Sequence, residues 1–320
     1  MELIRGRINL RPRHRGCVAT IGNFDGVHLG HQAVLRELIA RGREFDVPTT
    51  VVTFEPQPLE FFAADRAPPR LSQLRGKLDM LAKLGIDRVL CLPFDRRLAG
   101  MLAEEFIATV LVAGLGIRHL IIGDDFRFGA GGHGNFEQLL DAGRRYGYTA
   151  TEMPTFLLDG ERVSSTRIRA ALEADDLLAA ERLLGRPYAI FGAVRHGDKR
   201  GRTIGFPTAN IDTWHKVVPM RGVYAVQVAG VADGLWPGVA NIGQRPTFGA
   251  NEVRLEVHLF DFNREIYRRQ LRVDFRAKLR DERRFDSVDA LKAQITADCA
   301  AAHHVLDELQ DQLSQLPGAG

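Results

Sequence analysis

The chain has 320 residues, 45% of them hydrophobic, with 43 basic and 40 acidic side chains and a net charge of +3. That length suggests about two domains, the composition is ordinary for a globular protein, and no segment is long and apolar enough to span a bilayer. The near-even charge argues against a nucleic-acid partner, although local basic clusters suit small phosphorylated ligands. The opening residues, MELIRGRINLRPRHRG, are broken by charges and lack a signal-peptide core. Cys17, Cys91 and Cys299 are odd in number and far apart. They make neither a metal pair nor a disulfide framework, so a reducing cytoplasm is the expected compartment.

In chain order, Val18–Ile21 reads as a strand and about Gly30–Arg43 as a helix. Thr49–Phe54 is a strand rich in β-branched residues, and Leu71–Leu84 has helical period. A strand over Arg88–Leu92, a helix over Ala103–Val112, a strand over Leu120–Ile122 and a helix over Asn135–Tyr146 follow. Such alternation predicts a parallel sheet with helices on both faces. Ligands in such folds bind beyond the carboxyl ends of the strands. The loops GNFDGVH, FEPQP and GDDFRFGAGGHG all fall there. DDLLAAERLLG then reads as a helix with an aspartate start and a glycine stop.

After Gly185-Arg186-Pro187 the texture changes. Ala189–Val194, Gly222–Val228, Gly238–Ile242 and Val253–Phe260 look like short strands punctuated by glycine and proline, which predicts an antiparallel barrel or sandwich. A helix over Ser287–Leu313 closes the chain. The expected domains are therefore 1–185 and 186–320.

Gly22–Gln32, GNFDGVHLGHQ, places His28 and His31 at a strand-to-helix junction. A helix N-terminus there attracts phosphate through its free N–H groups and its dipole. Imidazoles add donors that can follow charge as it develops on a transferring phosphorus. Taken alone, H-x-G-H equally suits two surface or core-edge histidines. Asp125 follows a predicted strand and is a candidate for the nucleotide or flavin; GAGGHG beside it reads by itself as a mobile loop. In the second half, GAVRHGDKRGRTIGFPTANI presents a Gly-rich basic loop that can wrap polyphosphate, with Gly201 and Arg202 as candidate contacts. It is not a Walker loop. Thr208 and Asn210 alternate with Ala209, so both emerge on one strand face. Their hydroxyl and amide oxygens are hard ligands suited to Mg²⁺. A turn followed by a polar strand face would look the same.

GNFDGVHLGH resembles the H-x-G-H signature of nucleotidyltransferases related to class I aminoacyl-tRNA synthetases, without their KMSKS loop. VSSTRIR (Val163–Arg169) resembles the second signature of the smaller adenylyltransferases. GNFDGVHLGHQ, TFEPQP, GDDFRFG and VSSTRIR, in that order, resemble the adenylyltransferase module of bacterial bifunctional riboflavin kinase/FAD synthetases. GFPTANI resembles the riboflavin kinase signature, and RGVYAV, GVANIGQRPTF, LEVHLFDF and RDERRFDSVDALKAQI are further matches, so the resemblance runs from about Gly16 to His303.

The resemblance implies a doubly wound, Rossmann-like α/β nucleotidyltransferase domain and a C-terminal antiparallel β-barrel riboflavin kinase domain with a closing helix. It implies riboflavin, FMN, ATP and Mg²⁺ as reactants, FAD as product, and a monomer or weak homo-oligomer. His28 and His31 would stabilise the transferring α-phosphate, Asn23 would position a phosphate, and Ser165, Thr166 and Arg169 would hold the triphosphate. Glu256, in the E-x-H segment, would accept the proton of the ribityl 5′-hydroxyl; a strand-face charge paired with an arginine is the alternative. Arg280 and Phe285 would border the ligand loops. One departure stands out: the family's aspartate-x-tyrosine-glycine turn is Glu265-Ile266-Tyr267-Arg268 here. Two rivals remain at this point, a chain retaining one activity and an RNA-binding protein built on an old nucleotidyltransferase fold.

Overall fold

A computed structural model describes residues 1–196, 204–213, 218–247 and 250–314. The chain divides into two compact units, Met1–Pro68 with Lys77–Ser164, and Pro69–Gly76 with Ser165–Gly320. Expected contacts Gly201 and Arg202 lie outside the described residues.

The first unit is built on six parallel strands: β1 (Glu2–Arg5), β2 (Cys17–Ile21), β3 (Thr49–Glu55), β4 (Arg88–Pro93), β5 (Ile117–Gly123) and β6 (Thr149–Met153). Their order is β1-β4-β3-β2-β5-β6. The helices are α1 (Leu29–Glu44), α2 (Pro58–Phe62), α3 (Leu74–Lys83), α4 (Arg96–Ala99), α5 (Ala103–Phe106) and α6 (Phe136–Tyr146). The helix expected to end at Val112 continues with π-type turns over Ile107–Leu115 and stops at Gly116, whose left-handed backbone (φ 53°) closes it. Alternating side chains divide the buried strands between two cores. Val18, Val51, Val89 and Ile121 pack on one face beneath α1, with Leu35 and Leu38. Ala19, Ile21, Val52, Leu90, Leu120 and Ile122 pack on the other, with Phe106, Leu111 and Leu139. Both faces are covered, as the run of apolar strand residues implies. The chain leaves β2 for β3 on one side and later returns with β5 on the other. The loop after β2 therefore sits at the switch point where such sheets bind ligands. A two-stranded hairpin, β7 (Leu157–Leu158) and β8 (Glu161–Arg162), follows, turning through Asp159 (φ 53°) and Gly160 (φ 79°). Asp-Gly is the residue pair a type I′ hairpin prefers.

The second unit is a closed antiparallel barrel, not a sandwich. Its strands are β9 (Ala189–Arg195), β10 (Ala209–Asp212), β11 (Gly222–Ala229), β12 (Leu235–Thr247), β13 (Ala250–Leu259) and β14 (Gln270–Arg280), in the order β10-β13-β12-β11-β14-β9. Ile190, Ile211, Tyr224, Val226, Ile242, Leu255, Val257 and Phe275 are all buried, and the register places them on the inner face. Two helices precede the barrel, α7 (Ser165–Glu173) and α8 (Leu177–Leu184), the latter capped by Asp176 and closed by Gly185 as its sequence suggests. They pack with the barrel: the Lys278 ammonium (2.5 Å) and the Tyr224 hydroxyl (2.9 Å) both meet the Asp175 carboxylate between the helices. The closing helix, α9 (Val288–Ser314), covers the outer face of β11 and β12 through Ala302 and Leu306 against Val223, Ala225 and Val239. The Arg280 fork grips the buried Asp298 carboxylate of α9 at 2.8–3.1 Å. Arg280, expected beside the ligand loops, therefore clamps this helix, with Phe285 5.7 Å from its guanidinium.

Arg268 keeps the left-handed backbone that its family's glycine would adopt, at φ 65°. Its N–H donates to the Val194 carbonyl (2.9 Å), and the Arg269 guanidinium donates to the Val231 carbonyl (2.9 Å), which hold the turn in place. An L-residue costs about 1–2 kcal/mol in this conformation, whereas glycine loses about 0.5–1 kcal/mol of extra chain entropy. Arg268→Gly should therefore raise the barrel's melting temperature by about 1–3 °C. A fall in calorimetry would show that the arginine side chain itself stabilises the turn.

Candidate active sites

The loop between β2 and α1 is held in an unusual backbone. Phe24 (φ 48°), Gly26 (φ 81°) and Val27 (φ 43°) all have positive φ. A β-branched residue there is strained, and strain of this kind persists only when the surroundings over-determine it. Here Phe24 and Val27 are buried in the core beneath α1. The Gln32 amide donates to the Val27 carbonyl (3.0 Å), and the Thr53 hydroxyl donates to the Asn23 carbonyl (3.4 Å).

His28 is the N-cap of α1, and its Nδ1 accepts the His31 N–H at 3.2 Å. In a neutral imidazole that bond leaves the proton on Nε2. One of the helix's first N–H groups is thus satisfied, leaving those of Leu29 and Gly30 at the helix mouth. The His28 and His31 rings stack at 3.6 Å and 15°. His31 Nδ1 is buried with no hydrogen-bond partner. Burial, and then the charges of His28 and Lys77, hold the His31 pKa well below the usual imidazole range. A Cβ at Gly30 would lie 3.2 Å from His28 Nδ1, a tight contact that the imidazole would have to relieve by a few tenths of an ångström. The glycine makes room for the imidazole across the helix start.

A cleft of about 220 Å³ lies on the opposite face of the same strand ends, lined by Phe54, Phe62, Phe94, Phe126, Phe128 and Arg127. GAGGHG forms a short built turn at its edge. Gly129, Gly131 and Gly132 supply positive φ, and Phe128 and Gly134 exchange two backbone hydrogen bonds. Asp125 is exposed, and its carboxylate pairs with Arg162 of the β7–β8 hairpin. Its neighbour Asp124 accepts both the hydroxyl and the N–H of Thr155, which lowers its pKa.

Ser165, Thr166 and Arg169 share the first two turns of α7, with Thr166 exposed and the Arg169 Nε donating to the Pro69 carbonyl at 2.6 Å. In the barrel, Asn210 of β10, Glu256 of β13 and Asn241 of β12 are direct cross-strand neighbours. They form one row on the outer face. Arg254 pairs with Glu256 at 2.6 Å and approaches the Asn210 Oδ1 at 3.3 Å, so the arginine partner weighed for Glu256 exists. Asn241 Oδ1 is buried without a partner, while its amide nitrogen donates to Glu282 (3.3 Å). Thr208 is exposed just before β10. It lines a cavity of about 420 Å³ with Pro207, His196 and Tyr267, the last two stacked at 3.8 Å.

Lys77, Arg162, Asn241 and Arg254 were not singled out from the sequence. Lys77 had a usable signal, since a lysine four residues before Leu81 stands on the apolar stripe of a helix. Arg162 becomes conspicuous only through its ion pair with Asp125, and Asn241 and Arg254 only through strand register.

A family model described as FAD synthetase matches residues 10–167, and one described as riboflavin kinase matches residues 184–306. The bifunctional riboflavin kinase/FMN adenylyltransferase of Escherichia coli (strain K12) is 53% identical over 299 residues, covering 93% of this chain and 96% of that protein. The protein of the same description from Pseudomonas fluorescens is 54% identical over 304 residues, covering 94% and 97%. A solved structure described as a macrolide-efflux protein from Streptococcus pneumoniae matches with a TM-score of 0.77 at 30% identity, over 93% of this chain and 97% of that one. No helix among the described residues is long and apolar enough to cross a membrane. The chain belongs to the bifunctional riboflavin kinase/FMN adenylyltransferase family.

Two outcomes follow from the histidine geometry. Gly30→Ala should shift the His28 ring by a few tenths of an ångström and lower FAD formation by roughly threefold to tenfold, with FMN formation unchanged in the same chromatographic assay. His31, half-buried with its Nδ1 sealed from solvent, takes up a proton far less readily in the folded chain than in the unfolded chain, where it titrates near 6.5. The unfolded state then binds more protons below that pH, so stability falls as pH drops through it. Denaturant midpoints measured from pH 7 to pH 5 should decline, and His31→Phe should flatten the decline.

Proposed function

We propose that this chain makes FAD from riboflavin in two ATP-dependent steps on two separate sites, with residues 1–185 serving the adenylyl transfer and 186–320 the kinase reaction. As a member of its family it is a riboflavin kinase and an FMN adenylyltransferase. The observation that carries the assignment of residues is the pairing of stacked His28 and His31 at the α1 start with a separate Asn210–Glu256–Asn241 row on the barrel.

In the kinase step the ribityl 5′-oxygen attacks the γ-phosphorus of ATP, ADP leaves, and Glu256 accepts the hydroxyl proton. Arg254 holds the carboxylate in place, and must yield or turn as substrate arrives. Gly201 and Arg202 contact the phosphates. Thr208 and Asn210 fit Mg²⁺ through their hard oxygens, and the unpartnered Asn241 Oδ1 stands in the same polar row as Asn210, with Glu256 between them; such a cation takes few protein ligands beside phosphate and water. When bound it would neutralise phosphate charge.

In the adenylyl step a phosphate oxygen of FMN attacks the α-phosphorus of a second ATP, and pyrophosphate leaves. His28 Nε2, neutral His31 and the open N–H groups of α1 donate to the phosphorus oxygens as charge builds on them. Asn23 positions a phosphate, Ser165, Thr166 and Arg169 hold the triphosphate, and Asp125 contacts nucleotide or flavin. The aromatic cleft suits the flat isoalloxazine ring. The free cysteines and soluble substrates fit a cytoplasmic enzyme.

The test is incubation with riboflavin, ATP and Mg²⁺, with flavins separated over time. FMN should appear first and FAD second, and chelation of the divalent cation should stop both. His28→Ala with His31→Ala should cut FAD formation by more than about 100-fold and let FMN accumulate. Glu256→Gln should block riboflavin phosphorylation and leave FAD formation from supplied FMN intact. Loss of both activities in each variant, with FMN supplied, would refute separate sites.

A further inference from the structure

Strand parity places Thr20 on the same sheet face as Val18, and Thr53 on the same face as Val51. Both stand at the carboxyl ends, one step beyond the last apolar layer beneath α1. Both are buried, at 1% and 0% exposure, and Thr20 Oγ1 has no hydrogen-bond partner. Lys77, from the first turn of α3, enters the same layer fully buried, with its Nζ 3.5 Å from the Thr53 Oγ1. Asp25 is buried in the adjoining loop. Lys77 stands where its helix otherwise buries apolar side chains, four residues before the fully buried Leu81. A cation there is opposed both by desolvation and by the positive end of its own helix dipole. Methionine would fill the position at lower cost, so a lysine there calls for a role other than packing.

The Thr53 hydroxyl in turn donates to the carbonyl of Asn23, in the strained loop that ends at His28. The layer thus forms a chain from the ammonium through a threonine to the nucleotide loop. Resting on the adenylyl-transfer reading above, we propose that Lys77 is a positioning residue for that reaction, acting through Thr53 on the Asn23 loop and through space on the His31 imidazole. Lys77 is sealed from ligand and touches no reacting atom. It and His28 are the charged or titratable groups that bear on His31. Burial and His28 already disfavour a charged His31, and an ammonium at this place adds to them, so His31 meets the phosphate neutral, able to donate from one nitrogen. It also keeps a positive potential beneath the loop where anionic charge develops.

The experiment compares Lys77→Met, Lys77→Arg and Thr53→Val in the full-length chain. The readouts are FMN and FAD formation and the titration of the His31 imidazole by NMR with labelled histidine. Lys77→Met should lower kcat for FAD formation by about tenfold or more, leave KM for ATP within about twofold, spare FMN formation and raise the His31 titration, with burial still holding it below the usual imidazole range. Lys77→Arg should restore the low titration and part of kcat. Thr53→Val should lower kcat with the titration unmoved. If Lys77→Met leaves either kcat or the His31 titration unchanged, the inference is wrong. If that variant loses the first unit's cooperative melt, Thr53→Val decides, and wild-type FAD turnover overturns the proposal. His31→Ala separates the two levels: its retaining FAD formation sinks the site reading itself, whereas its loss beside a normal Lys77→Met sinks only the role of Lys77.

Discussion

The burial of two apolar side chains, Phe24 and Val27, in the core beneath α1 is the constraint on which the first unit's candidate site depends. It forces the loop after β2 into left-handed backbone that neither residue favours. In return, the loop delivers His28 to the N-cap of α1 and sets its ring against His31. The core therefore does more than stabilise. It fixes a short polar segment at the switch point of the sheet, where a helix start, two imidazoles and a glycine meet.

The barrel reaches a comparable arrangement by register alone. Asn210, Glu256 and Asn241 are far apart in sequence and become neighbours because three antiparallel strands align them in one row. The polar row stands on the outer face while alternate residues, Ile211, Leu255 and Ile242, fill the interior. A one-residue slip would exchange the two sets. The alignment of this candidate site thus follows from the packing of the barrel, as the histidine pair follows from the core beneath α1.

Much of this was legible in the sequence, and the reasons for the rest are specific. The alternating elements of the first unit came through because their strands are short apolar runs bounded by turn residues. β1 and β6 did not: both lie at sheet edges, and TATEM carries little apolar signal. β14 was hidden because QLRVDFRAKLR interleaves its inward Leu271, Val273 and Phe275 with charges. The Asp-Gly turn between β7 and β8 was readable but stood between strands only two residues long. His28 and His31 were found by spacing. The reason for Gly30 was not, because it lies in the volume of the His28 ring. Lys77 was missed although its position on an apolar stripe is a local signal, and Arg254 needed the strand register.

Closure of the barrel also bears on how the protein behaves when it is crowded or partly damaged. β9 and β10 pair with each other, so the ring itself is closed, but the β12–β13 hairpin runs past it over 243–247 and 250–254, where, among the described residues, each strand pairs only with the other and keeps a short unpaired margin. The parallel sheet has two such margins, β1 and β6. Intermolecular strand addition, the first step toward insoluble aggregates, would therefore find whole edge strands in the nucleotide-handling half and only a hairpin tip in the flavin-phosphorylating half.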